Sequence, residues 1–176
     1  MSTTDAPSQP HFQPSRPDHW IAFGFGAGLS PTAPGTMGTL VAVPIYLLLA
    51  NLPGLVYMIA VAALIGVGIW ACRKVADEMG DQDPPAIVWD EVVGFLVAMS
   101  AAPMISINWI IMGFLLFRLF DIYKPWPVSW AHARYRGGLG VIADDLVAGA
   151  MAWVVLKFMA MIVAASLGHG AAPLAH

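Results

Sequence analysis

The chain has 176 residues, 59% of them hydrophobic and 11% charged, with a formal net charge of −3 and a mean hydropathy of +0.72. A soluble domain carries about 25% charged residues, so the composition points to one membrane-embedded domain. The acidic balance offers no basic stripe for nucleic acid, and the lone Cys72 excludes an internal disulfide and any cysteine-rich zinc site.

Residues 1–20 are rich in Pro, Ser and Gln and lack an apolar run behind a basic start, so they read as a disordered tail and not as a secretory signal. A single helical domain is expected over 21–167, followed by a short tail, 168–176. Apolar runs cover Leu40 to Leu52, Leu55 to Cys72, Val92 to Ala102, Ile107 to Phe120 and Val141 to Leu167. Crossing the hydrocarbon takes about 20 apolar residues, which the last run satisfies, the second nearly satisfies, and the first and third do not.

The expectation is therefore an all-α, compact, membrane-embedded bundle of about four to five apolar helices with short interfacial helices. The short runs are expected to pair as hairpins across Asn51 to Gly54 and across Ala102-Pro103, and some are expected to be re-entrant or buried. If all five cross, the connections "NLPG" and "AAPMISIN" lie on one side without charge. Arg16, Arg73, Lys74, Lys124, Arg134 and Arg136 then lie on the other side, which the positive-inside rule makes the cytoplasm. Lys157 falls within a long apolar run, where snorkelling accounts for it.

Four polar blocks share the charged side: "GFGAGLSPTAPGTMGTL" (Gly24 to Leu40), "VWDEVVG" (Val88 to Gly94), "FRLFDIYKPWP" (Phe117 to Pro127) and "GGLGVIADDLVAG" (Gly137 to Gly149). In the first, glycines free the backbone, Ser30, Thr32, Thr36 and Thr39 add hydroxyls, and Thr36 can cap a helix starting near Gly38. Free amides there, including that of Gly35, suit a phosphate. A loop of small residues that only lets helices pack closely is the plainer alternative. The segment fits a dinucleotide fingerprint poorly, because no strand precedes Gly24 and Pro31 and Pro34 interrupt it.

Asp90 and Glu91 open an apolar helix, where acids complement the dipole without further purpose. Yet acids recur at Asp121 and at Asp144-Asp145, and a charge near the bilayer costs about 2.5–3.5 kcal/mol at a helix centre. Carboxylates without a histidine cluster suit a hard cation such as magnesium better than zinc or iron. Arg118, Asp121 and Lys124, spaced i, i+3, i+6, lie along one side of a helix that Pro125 and Pro127 end. They make either an ion-pair ladder or a cationic contact for a phosphorylated headgroup beside Trp126 and Trp130. Asp81-Gln82-Asp83 offers a DxD pair, but in a proline-bounded loop without a preceding apolar strand.

In this order, "GLSPTAPGTMGTL", "VWDE", "FRLFDIYKPWP" and "GVIADDLVAG" closely resemble the phosphatidylglycerophosphatase A family, from about Ile21 to Leu156. The resemblance implies a magnesium-dependent phosphomonoesterase converting phosphatidylglycerophosphate to phosphatidylglycerol at the cytoplasmic face of a bacterial inner membrane. Asp121, Asp144 and Asp145, with Asp90 or Glu91, are expected to serve the metal and catalysis. Arg118, Lys124, Ser30, Thr36 and Gly35 are expected to meet the phosphate. Attack by water or through an aspartyl-phosphate both remain open. A small ion-coupled transporter and a non-catalytic lipid-binding protein are the competing classes; a carrier places its acids near the midplane, whereas these sit at helix ends.

Overall fold

The computed structural model describes residues 12–81, 84–134 and 138–169. Among these residues, seven α-helices follow in order: α1 Pro17–Ala22, α2 Pro34–Leu49, α3 Gly54–Met79, α4 Trp89–Met99, α5 Ile107–Tyr123, α6 Val128–Arg134 and α7 Gly138–His169. A 3₁₀ run, Gly24–Leu29, joins α1 to α2, and no strand occurs among the described residues. The all-helical expectation holds.

The centre of the bundle is α4. Nine of its eleven residues are buried, and at 1.5 Å per residue it is about 16 Å long, half the hydrocarbon thickness. It packs against α7, α2, α5 and α3, so the run predicted from Val92 to Ala102 is a core helix and not a crossing. A short apolar run has the same sequence pattern in either role. Likewise α2 packs chiefly on α4 and the 3₁₀ run, while α3 packs on α7 and α1, so the hairpin expected across Asn51 to Gly54 is a chain reversal whose two helices find other partners.

Among the described residues, two helical stretches are long and apolar enough to cross a membrane, Gly54–Met79 and Gly140–Ser166, fewer than the four to five membrane-embedded helices expected. Just 28% and 22% of their most apolar windows are buried, which separates them from the core helices of a soluble protein. Leu55, Ile59, Phe158 and Met161 are more than half exposed on these helices, an outward surface that lipid satisfies and water does not.

Helix α1 starts within the predicted tail, residues 1–20. Asp18 and His19 of α1 are buried, and Asp18 pairs with Arg16 and with Lys74 Nζ at 3.2 Å. Arg16 also reaches Glu78 at 2.6 Å, tying α1 to the end of α3. The Arg16 hydrogen bond, followed by that of Lys74, holds the Asp18 carboxyl well below the usual carboxylate range. Cys72 is a buried free thiol in α3, as a packing residue should be. The remainder of the tails, Gln82, Asp83 and Arg136 lie outside the described residues.

Candidate active site

The polar blocks meet at one end of the bundle because the N-termini of α2, α4 and α7 and the C-terminus of α5 all open there. Ala33, Pro34, Gly35, Pro84, Pro85, Ile87, Asp90, Glu91, Arg118, Asp121, Ile122, Lys124, Asp144 and Asp145 line an open cavity of about 370 Å³. Every acid predicted for the site is in that wall, with Arg118, Lys124 and Gly35.

The acids separate into two kinds by their partners. Asp121 Oδ2 accepts from Arg118 Nη1 at 2.6 Å, and Asp144 Oδ2 accepts from Lys124 Nζ at 2.6 Å. Arg118 Nη1 also faces Glu91 Oε1 at 3.7 Å. Of the ladder that was one of two readings along α5, the Arg118–Asp121 rung forms within the helix, whereas Lys124 reaches across to Asp144 of α7. By contrast, Asp90 Oδ1, Glu91 Oε2 and Asp145 Oδ2 are buried without a hydrogen-bond partner. Asp90, Glu91 and Asp145 bring one carboxylate oxygen each to within 4.8 Å of one another.

Such a cluster is costly unless something positive joins it, because a buried unpaired charge forfeits its hydration. Burial, then the neighbouring charges of Glu91 and Asp145, pushes the Asp90 carboxyl well above its ordinary range. Three clustered carboxylates in the wall of a cavity, each with an orphaned oxygen, are the kind of donor set that magnesium prefers when it keeps water and substrate oxygens as its other ligands. The residues fit the ion.

The N-terminus of α2 completes the wall. Its helix starts at Pro34, four residues earlier than predicted, with Ala33 as the N-cap and no side-chain cap. Thr36 is thus inside the first turn and caps nothing. Proline at the first position donates no N–H, Met37 N donates to Ala33 O at 3.2 Å, and the amides of Gly35 and Thr36 are the first-turn donors that helix geometry leaves over. Elsewhere the loop spends its amides on itself: Gly26 and Gly28 N both donate to Phe23 O at 3.0 Å, and Ser30 N to Ala27 O at 3.1 Å. Ser30 Oγ donates to Thr32 O at 2.8 Å and lines a neighbouring cleft with Gly28, Leu29 and Pro31, so neither Ser30 nor Thr36 is among the residues lining the acidic cavity.

Two wall residues have left-handed backbone: Ala33, which the sequence did not single out, at φ 51°, and Lys124, expected at the phosphate, at φ 40°. Such strain in non-glycine residues gathers at functional sites. Gly35 is there for space: a Cβ on it would collide with Glu91 Oε1 and lie 3.0 Å from Arg118 Nη1. Gly35→Ala is expected to lower kcat by about 100-fold while the thermal midpoint changes little, since the methyl displaces polar groups at a cavity edge. Phosphate release and a melting curve on the same preparation check it; unchanged kcat would show that the contact between α2 and Glu91 has no part in the chemistry.

A helical bundle with an apolar outer face and one end lined by five carboxylates and two cations defines the class: a helical protein with two membrane-length apolar helices and a charged pocket at one end. Residues 20–160 match the family phosphatidylglycerophosphatase A. The chain belongs to that family, and it is an enzyme, a phosphatase. Phosphatidylglycerophosphatase A of Escherichia coli K12 is 41% identical over 145 residues, covering 82% of this chain and 84% of that one. Its namesake in Haemophilus influenzae Rd is 38% identical, covering 80% and 86%. A Bacteroides thetaiotaomicron protein provisionally named phosphatidylinositol-3-phosphatase is 37% identical, covering 81% and 93%. No solved structure matches the chain.

Proposed function

We propose that the protein hydrolyses phosphatidylglycerophosphate to phosphatidylglycerol and inorganic phosphate, using magnesium held by Asp90, Glu91 and Asp145. The observation that carries this reading is a trio of clustered acids, each with a buried unpartnered carboxylate oxygen, in the wall of a cavity that also presents Arg118, Lys124 and the start of α2. Neither rival class accounts for it. Acids that serve as caps and ion pairs have partners, and a carrier would break its helices near the midplane.

When bound, magnesium supplies Lewis-acid charge stabilisation and a more acidic water. The chain's own groups do the rest. Arg118 and Lys124, each fixed by a carboxylate at 2.6 Å, present cations to the phosphoryl oxygens. The Gly35 amide adds a donor at the positive end of α2. Asp121 and Asp144 hold the two cations in place and keep the cavity acidic enough to require the metal before an anion enters. Water attacks phosphorus in line, the bond to the glycerol oxygen breaks, and the alcohol leaves with a proton.

We place this site at the cytoplasmic face of a bacterial inner membrane. Arg16, Arg73, Lys74, Lys124 and Arg134 lie toward the site end, while the connections from α2 to α3 and from α4 to α5 carry no charge, as the positive-inside rule requires.

Purified protein in detergent should release phosphate from phosphatidylglycerophosphate with magnesium, stop when EDTA is added, and recover with excess magnesium. Glycerol 3-phosphate should be cleaved far more slowly, since remote binding energy from acyl chains is what positions the phosphate. Phosphatidic acid, whose phosphate sits nearer the acyl region, should also be poor. Equal rates on all three would leave a generic phosphatase, undiminished rates in EDTA would remove the metal, and faster cleavage of phosphatidylinositol 3-phosphate would reassign the headgroup.

A further inference from the structure

We infer that a glycine-on-glycine crossing of α4 and α7 sets the spacing of the acidic trio, making Gly94 and Gly149 positioning residues for the reaction. This rests on the proposed magnesium site and goes beyond it to what builds it. Both helices start at the site end, so they run parallel into the bundle. Gly94 lies four residues after Asp90, and Gly149 four residues after Asp145. One helical turn therefore separates each glycine from its aspartate on the same face.

The crossing leaves no room for a side chain on either helix. A Cβ on Gly149 would collide with Gly94 O and lie 3.1 Å from Gly94 C and 3.3 Å from its Cα. A Cβ on Gly94 would lie 2.8 Å from Asp145 O and 2.6 Å from Phe117 Cε2. These obstacles are largely backbone, which cannot swing aside as a side-chain tip can. Either methyl must push α4 from α7, and the level next to the crossing is the one that holds Asp90, Glu91 and Asp145.

Gly113 supplies the control. Its Cβ would meet the Met99 thioether, a flexible tip, with Leu156 Cδ1 at 3.5 Å, in the same bundle but away from the acids. Full-length wild type, Gly149→Ala and Gly113→Ala are compared in detergent for thermal midpoint, for Mn²⁺ affinity by electron paramagnetic resonance, and for kcat and KM. The expected result is a Mn²⁺ affinity about 10- to 100-fold weaker in Gly149→Ala, with kcat reduced more than KM is raised, and near-wild-type values in Gly113→Ala. Wild-type Mn²⁺ affinity and kcat in Gly149→Ala would overturn the inference. Equal damage in Gly113→Ala would overturn it too, by showing general loosening.

If Gly149→Ala does not fold, Phe117→Leu with and without Gly94→Ala decides. Removing the ring leaves the Asp145 carbonyl as the remaining obstacle, so the added methyl alone should weaken Mn²⁺ binding. No change on adding it would refute the crossing's role. Wild-type protein that binds no Mn²⁺ removes the metal reading, and the kcat comparison then judges the crossing by itself.

Discussion

Asp145→Asn is expected to lower kcat by about a thousandfold or more, as loss of one member of a catalytic group that acts as a unit does. The expected thermal midpoint without divalent cation is unchanged or raised. Asp145 is 3% exposed and its Oδ2 has no partner; burial, then the charges of Asp121 and Glu91, disfavour its ionised form, so ionising it in the free protein costs repulsion from its neighbours. An amide of the same shape removes that repulsion while it removes a metal-binding oxygen. Loss of activity together with retained or increased stability separates a site built for a ligand from one built for the fold. Magnesium should raise the wild-type midpoint and leave that of the variant where it was, because a ligand stabilises just the state that binds it. Activity above a tenth of wild type, or a fall in the midpoint, would assign Asp145 to structure.

The acids were legible in the sequence because each stands in an apolar run where a charge needs a reason: Asp90 and Glu91 before "VVGFL", and Asp144-Asp145 before "LVAG". Their division of labour was not. Arg118 and Asp121 are three residues apart on one helix, and that spacing announces a pair. Lys124 and Asp144 are on different helices, so their pairing, and with it the release of Asp145 to join Asp90 and Glu91, depends on how α5 packs against α7. Thr36 misled because a hydroxyl before an apolar run is a common cap signal, while Pro34, which favours the first helical position, was the better marker. The membrane count failed at α4 for a related reason: its residues are apolar on all sides because the bundle surrounds it, and lipid would select the same residues. A signal for the crossing was present as Asp-x-x-x-Gly in both Asp90 to Gly94 and Asp145 to Gly149, but a glycine shows its purpose when the opposing backbone is known.

Arg118 links these observations, and its loss should be the second large effect. Its side chain is 15% exposed, with Nη1 on Asp121 at 2.6 Å and facing Glu91 at 3.7 Å, and its buried Nε has no partner. A guanidinium can hold a carboxylate with one edge while another edge remains for a phosphoryl oxygen; an ammonium is a compact, strongly hydrated point charge on a flexible stem and cannot do both in a fixed plane. Arg118→Ala should therefore cut kcat by about 10²–10³-fold through lost stabilisation of the phosphoryl charge, and it should also destabilise the protein, because Asp121 and Glu91 lose their cation beside an already crowded acidic group. Arg118→Lys separates the two roles. Lysine restores a positive charge near Asp121, so the thermal midpoint should return most of the way to wild type, while kcat stays within about tenfold of the alanine variant because the planar contact is absent. Full recovery of kcat in Arg118→Lys would reduce Arg118 to a counter-charge for Asp121, leaving Lys124 and the α2 amides to meet the substrate.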